Sequence, residues 1–473
     1  MNENLAALIP ELALLGAAVI GLLAGSWLPR RRQWIVAVLA AAACTAGLAA
    51  TSITMSTGRE QTVFSNAFAV DTATNAGRLT VLGALLLVIT MSVETVQGHK
   101  RETEYWVLLL LTGAGTLALL GANDLLMLFA AYLLASIPAY ALAAFTKDNS
   151  GTEAALKYYL MGALLGTTML AGAALFYGAG HSTLYRELRH ALPDAPYGLV
   201  AVALVAVLAG LLFKAGAIPA HFWVPDVTDG APAPVAAYVT TLPKIGALIA
   251  GYRLLHQALP DSDVNWPLLL AVLAAVTMTL GNLAAFFQTS ARRLLAYSTI
   301  SQVGYLLMAL AVATRTDLAQ QSLLFYLAAY AATNLGAFAV VTALPAARHL
   351  KDYRGLAHRQ PGLAAVLVVC LLGLVGTPPT GIFLGKLEIF SATIDGGYTW
   401  LAVLAVANTV ASLFYYLRWL APLFTHANPG PAPAQAVFGC WAAATACTAG
   451  VIALALGLAG GAVLPYGMGN LLP

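Results

Sequence analysis

The chain has 473 residues, of which 23 are Lys or Arg and 20 are Asp or Glu, so 9% are charged, where a typical soluble domain has about 25%. With 60% hydrophobic residues and a mean hydropathy of +0.80, it cannot build the charged shell that a soluble protein of this size needs. An ordinary soluble enzyme, a disordered chain and a nucleic-acid binder are excluded, and a polytopic membrane protein remains.

A membrane-spanning helix needs about 20 mostly apolar residues. In chain order, such stretches are predicted at 5–28, 33–56, 78–98, 104–122, 123–146, 154–179, 197–222, 232–257, 265–289, 293–313, 319–345, 361–394, 398–424 and 434–461. The apolar character runs around every face, which separates these stretches from half-buried soluble helices. Alternating strands of a membrane barrel would be shorter. The first stretch follows Glu3 and has no basic residue before it, so it reads as a span and not as a cleaved signal. Cys44, Cys370, Cys440 and Cys447 lie in apolar stretches without metal-ligand spacing. Neither a disulfide framework, a metal site nor a cofactor-binding fingerprint is indicated.

Loop parity places thirteen Lys and Arg residues on one side, among them Arg30, Arg31, Arg32, Arg292, Arg293 and Arg418. The other side holds six, which are Arg59, Arg78, Arg186, Arg189, Arg253 and Arg315. The positive-inside rule makes the first side cytoplasmic and puts both termini outside.

Four lysines fall within the spans: Lys157, Lys214, Lys244 and Lys386. A lysine at the bilayer centre costs roughly 2.5–3.5 kcal/mol on insertion scales. Four of them with few acids nearby read as a proton relay, since a lysine readily exchanges a proton when its surroundings change. Lys157 lies near a helix end, where snorkelling to the interface explains it equally well. Three spans are also interrupted. Lys214 precedes Gly216 and Pro219 in FKAGAIPAHFW, Pro243 stands before Lys244 in TTLPKIGAL, and GTPPTGIFLGK ends at Lys386. Proline removes a backbone donor, and in lipid the freed carbonyls need protein or water partners.

Helices 4–8 and 9–13 are predicted to form two blocks of five, each with a broken fourth helix carrying a lysine. Five is odd, so the second block enters the membrane inverted, as in many transporters. The expected organisation is a three-helix segment at 1–103, two five-helix repeats at 104–257 and 258–424, and a C-terminal helix and tail at 425–473. The fold class is all-α with about fourteen membrane helices, of which helices 7 and 12 are broken.

Four stretches carry a resemblance: EAALKYYLMGAL (153–164), FKAGAIPAHFWVPDVTDGAPAPVAAY (213–238) running into TTLPKIGAL, RRLLAYSTISQVGYLL (292–307) and GTPPTGIFLGK (376–386). In these the chain resembles the antiporter-like membrane subunits of bacterial respiratory complex I, the proton-translocating NADH–quinone oxidoreductase, and within them the subunit N family. The resemblance implies that Lys214 is the central proton-carrying lysine, that Lys244 passes protons along the midplane, that Lys386 connects to the opposite side, and that Lys157 joins the same polar line. It implies no redox chemistry in this chain. FMN and iron–sulfur clusters are expected in partner subunits, quinone elsewhere, and the other membrane-arm and peripheral-arm subunits as partners in a bacterial inner membrane.

Two departures from the family pattern stand out. The family's fifth-helix glutamate, partner of the seventh-helix lysine, aligns with Leu133, and a tenth-helix position often filled by histidine is Gln302. Leu133 favours a structural, non-pumping role. A cation/proton antiporter subunit and a membrane subunit of an energy-converting hydrogenase also compete with the complex I reading. Among the remaining polar residues, His221 reads equally as relay group or interfacial histidine. Glu153 is spaced to pair with Lys157 at i,i+4. Asp226 and Asp229 read as turn residues, Asp124 as a helix cap, and Glu388 as lying off the Lys386 face.

Overall fold

The structure, a computed structural model, describes residues 4–425 and 439–472. Its helices are α1 (Ile9–Trp27), α2 (Trp34–Thr57), α3 (Thr72–Val96), α4 (Glu102–Leu120), α5 (Leu125–Ala143), α6 (Asn149–Gly180) and the short α7 (Tyr185–Ala191). Next come α8 (Tyr197–Ala215), α9 (Trp223–Gly230), α10 (Ala233–Ala258), α11 (Trp266–Ala285), α12 (Ala291–Ala311) and α13 (Leu318–Ala343). The chain closes with α14 (Leu356–Arg359), α15 (Pro361–Val375), α16 (Gly381–Asp395), α17 (Thr399–Phe424), α18 (Cys440–Leu458) and α19 (Gly460–Val463). Thirteen helices among the described residues are long and apolar enough to cross a membrane, and α15 with α16 makes one more span in two pieces. The fourteen expected spans are therefore present. The last was expected from 434, and 434–438 lie outside the described residues.

Backbone polar groups in lipid must be satisfied within the segment, which is why every span is helical. The ends are fixed by side chains: Asp71, Asp124, Asp148, Asn265 and Ser290 each accept from backbone N–H groups of the first turn. Three helices, α10, α12 and α13, are almost wholly buried and form the spine of the bundle. Around them α4 pairs with α5, α6 with α8, and α11 with α12, while α16 and α18 cover α13. Small residues let these backbones approach: a Cβ added at Gly304 of α12 would lie 2.5 Å from the Met278 nitrogen of α11.

The two breaks share a design. Gly216 (φ 77°) ends α8 and Gly376 (φ 92°) ends α15, both left-handed, each followed three residues later by proline. The carbonyls exposed by these ends find side-chain partners. Trp223 Nε1 donates to the Phe213 oxygen at 3.1 Å, Gln302 Nε2 to the Leu374 oxygen at 2.8 Å, and Lys386 Nζ to the Val375 oxygen at 2.8 Å.

The structure adds to or corrects the expectations in three places. A small antiparallel hairpin, β1 (Gln61–Val63) with β2 (Phe68–Val70), precedes α3. Helix α3 starts at Thr72, not at 78, because Asp71 caps it. Arg78 and Arg253, counted as loop charges, are instead fully buried within α3 and α10. Arg78 pairs with Glu11 at 2.8 Å and Arg253 with Asp71 at 2.8 Å. Removing both from the less basic side leaves four there and sharpens the charge asymmetry.

Candidate functional site

The three break-associated lysines lie inside the bundle, with Lys214 and Lys244 0% and Lys386 3% exposed. Lys214 is in the last turn of α8, just before its break. Its ammonium donates to the Ala135 carbonyl and to Ser136 Oγ on α5, each at 2.8 Å, and lies 5.7 Å from the Tyr132 ring centroid. Ser136 Oγ in turn donates to its own helix at the Tyr132 carbonyl, 2.6 Å away. Lys386 is on α16, after the other break. Its ammonium donates to the Val375 carbonyl and, at 3.2 Å, to Thr409 Oγ1 of α17, and sits 4.2 Å over the Tyr305 ring. The two lysines thus occupy opposite sides of equivalent breaks.

Lys244 lies on α10. Its ammonium has no hydrogen-bond partner among the described residues. It faces the first break, since a Cβ placed at Gly216 would lie 3.4 Å from its Nζ. No carboxylate forms an ion pair with Lys214, Lys244 or Lys386 among the described residues. A buried cation without a counter-ion is costly, and in a membrane span that cost points to function. Lys214 and Lys386 are held only by carbonyls, hydroxyls and aromatic faces.

Hydroxyls and amides bond across the buried helices α10, α12 and α13. Tyr330 donates to the Thr240 carbonyl at 2.9 Å and shares a hydrogen bond with Thr299, also at 2.9 Å. Asn334 donates to Thr241 Oγ1 at 2.8 Å. Gln302, which stands where a histidine is common, accepts from the Tyr326 hydroxyl while donating to Leu374. It orders this stretch but cannot titrate.

Lys157 belongs to a different setting. It lies more than two turns into α6 because that helix starts at Asn149, and its side chain is 47% exposed. It pairs with Glu153 at 2.7 Å, the expected i,i+4 contact, and with Asp226 Oδ2 at 2.8 Å. Asp226 Oδ1 meets Arg293 Nη1 at 3.2 Å. Asp226 is therefore not a loop turn residue. It lies on the short helix α9 and bridges α6 to α12. Asp229 accepts from Ser290 Oγ at 3.0 Å.

Leu133 is 36% exposed and points outward from α5, while the neighbouring Tyr132 and Ser136 face Lys214. His221 lies in the first break with its Nδ1 buried and unpartnered. Asp124 caps α5 as expected, accepting from Leu126 and Met127. Glu388 accepts from Gln321 Nε2 at 3.4 Å and not from Lys386. The sequence reading passed over Tyr132, Ser136, Tyr305 and Thr409. Their signal was a hydroxyl inside an otherwise apolar span, which is too common to single them out.

The model of the NADH:quinone oxidoreductase/Mrp antiporter transmembrane family matches residues 122–412. NADH-quinone oxidoreductase subunit N 1 of Streptomyces griseus is 56% identical over 464 residues, covering 98% of both chains. The chain belongs to the subunit N family of NADH-quinone oxidoreductase. A chain of respiratory complex I from Thermus thermophilus superposes with a TM-score of 0.83 at 33% identity, covering 98% of this chain and all of that one. A chain of the Mrp complex from Dietzia gives 0.85 at 24% identity, a likeness of fold alone. As a subunit N family member the chain is part of a translocase, embedded in a membrane. Among the described residues no group of three or more His, Cys, Asp or Glu could hold a metal ion.

Proposed function

We propose that this chain carries protons across part of the membrane arm of complex I through Lys214, Lys244 and Lys386, driven by electron transfer in partner subunits that hold FMN and iron–sulfur clusters. The observation that carries this reading is the set of three buried ammonium groups that pair with no carboxylate among the described residues. A structural cation in such a place would be locked by an acid, as Arg78 is by Glu11. Each lysine can give up a proton and take one back without breaking an ion pair, and neighbouring hydroxyls such as Ser136 and Thr409 can accept and release protons beside Lys214 and Lys386. Moving a charge against the membrane potential requires about 2.3 kcal/mol per 100 mV, which the redox subunits supply. Lys157, with Glu153 and Asp226, is the solvent-facing start of the line at the arginine-rich end, and His221 is a relay group at the first break. That end is the cytoplasmic side of a bacterial inner membrane, with both termini outside, and the two five-helix blocks are an inverted repeat.

The absent fifth-helix carboxylate does not weaken this reading, since Leu133 points away from Lys214 and the ammonium is held by Ser136 and Ala135 instead. Replacing Lys214 by alanine is expected to lower proton transfer through this chain by about a hundredfold or more, in line with loss of one positioned acid–base group, with the complex assembled and NADH oxidation by the peripheral arm retained. Pumping at the native rate would support the structural role instead.

A further inference from the structure

A cavity of about 900 Å³ lies between α2, α3, α13, α18 and the turn Leu464–Gly467. Helix α3 packs against α2, α13 and α18 and lines the cavity over its whole depth. Small residues hollow it out, Gly83 and Ala84 on α3 and Ala328, Ala331 and Ala332 on α13. A Cβ added at Gly83 would meet no heavy atom within 4 Å, although this glycine stands in mid-helix. The lining runs over residues 76–87 of α3 and 321–332 of α13. At 1.5 Å per residue each stretch is about 16 Å long. A hydrocarbon core of about 30 Å gives each leaflet about 15 Å. Both stretches lie in the first halves of their helices, so the cavity occupies one leaflet, on the face where α3 and α13 begin.

The walls are apolar, and their polar side chains are spent. Ser52, Ser56, Thr80 and Thr448 donate to carbonyls of their own helices, and Gln321 donates to Glu388. Few polar groups remain to hold water, and an apolar cavity stays dry. The cavity is open on one side. Helices α2 and α18 expose Ile53, Val451 and Leu458, as lipid-facing helices do, so an occupant enters from the bilayer. Near the membrane surface the character changes. Tyr466 lines the cavity and is 65% exposed. Arg59 follows Ser56 by three residues, is exposed, and forms no ion pair among the described residues. Its neighbour Glu60 accepts from the N–H and the hydroxyl of Thr72.

We propose that this cavity binds one phospholipid of that leaflet, with its acyl chains against α3 and α13 and its phosphate at Arg59 and Tyr466. The depth of a single leaflet fits a lipid, whereas a membrane helix of a partner subunit needs the full core of about 30 Å. A quinone head needs hydrogen-bond donors that these walls do not offer. Guanidinium groups pair well with phosphate, and tyrosine favours the headgroup level. The bound lipid joins α2 to α13 and α18, all of which pack on α3. The site stands apart from the buried lysines and does not depend on their role as proton carriers.

The test compares the whole complex, purified in mild detergent, in its native, Gly83→Leu and Gly178→Leu forms. Gly178 of α6 also has no heavy atom within 4 Å of an added Cβ, but it is not on the cavity. Native mass spectrometry of this subunit released from the complex reads the lipid it retains. The native and Gly178→Leu forms are expected to keep one phospholipid. Gly83→Leu is expected to keep about ten times less, because leucine takes the room of several chain methylenes. Equal retention in all three forms overturns the proposal, and so does a quinone in place of the phospholipid. Arg59→Gln is expected to lower retention several-fold, and unchanged retention overturns the placement of the phosphate. A second measurement needs no variant. The native complex is incubated in vesicles containing a phospholipid with a photoactivatable group midway along one acyl chain, then irradiated after free lipid is removed. Adducts are expected within residues 76–87 and 321–332, and adducts confined to the outer residues Ile53 and Val451 overturn the proposal.

Discussion

Two sets of buried cations occupy this membrane bundle, and they are treated in opposite ways. Arg78 and Arg253, at the end of the bundle where α3 begins, are each paired with a buried carboxylate. Arg253 Nη2 also donates to Thr74 Oγ1 at 3.0 Å, and the backbone N–H of Leu472 donates to Asp71 Oδ2 at 3.1 Å, tying the end of the chain to α3 and α10. Lys214, Lys244 and Lys386 are as deeply buried and form no ion pair with an acid among the described residues. Arginine is effectively never deprotonated and its fork fits a carboxylate, whereas lysine exchanges its proton readily. The contrast separates cations that hold the fold from the cations proposed to carry protons.

The largest expected effect comes from breaking the first set. Asp71→Asn leaves a buried guanidinium without its counter-ion, which costs about 3–5 kcal/mol, and the subunit is expected to be largely missing from purified complex, as read by mass spectrometry of its subunits. The pH dependence follows from the same pair. Burial alone would raise the Asp71 carboxyl, but the Arg253 guanidinium more than offsets this and holds it below its ordinary value. A depressed carboxyl contributes stability above its unfolded pKa and loses it as pH falls through the folded one. The thermal stability of the native chain relative to whatever Asp71→Asn protein can be recovered should therefore stay constant from neutral pH down to about the ordinary Asp value of 3.9, then shrink at lower pH.

Next in size is Lys386→Met, which removes a cation that no acid requires. It is expected to leave assembly intact and to lower proton transfer through this chain by about a hundredfold, measured by fluorescence quenching of a pH-sensitive dye in vesicles. An assembly defect as severe as that of Asp71→Asn would erase the distinction between the two sets.

The smallest effect is expected at Asp226. Its partners Lys157 and Arg293 are partly exposed, and such pairs contribute about 0.2–1 kcal/mol. Asp226→Asn should leave the melting temperature nearly unchanged. If the cluster is the start of the proton line, the variant slows pumping at low salt and not the assembly of the complex.

Much of this was legible in the sequence for physical reasons. Spans announce themselves by uniform hydropathy, and a lysine within one is conspicuous because it is expensive. The breaks were visible as Gly–x–x–Pro beside those lysines. Pairing across the fold was not. Arg78 and Arg253 read as loop charges because their partners Glu11 and Asp71 are 67 and 182 residues away in the chain. Asp226 read as a turn residue because nothing in VPDVTDGAP reveals that α9 turns it towards Lys157 and Arg293. The side chains that hold the lysines, such as Ser136 and Thr409, could not be told from the many hydroxyls that bond back to their own helix. The outward direction of Leu133 was also hidden, and an aligned position alone suggested a missing partner that the structure supplies by other means.

The most direct test of the central claim is proton pumping by Lys214→Arg in the intact complex. Arginine keeps the positive charge but does not release a proton at physiological pH. If Lys214 carries protons, the arginine variant assembles and pumps as poorly as Lys214→Ala. If it pumps at the native rate, a fixed positive charge at this site suffices and the lysine row does not carry the protons.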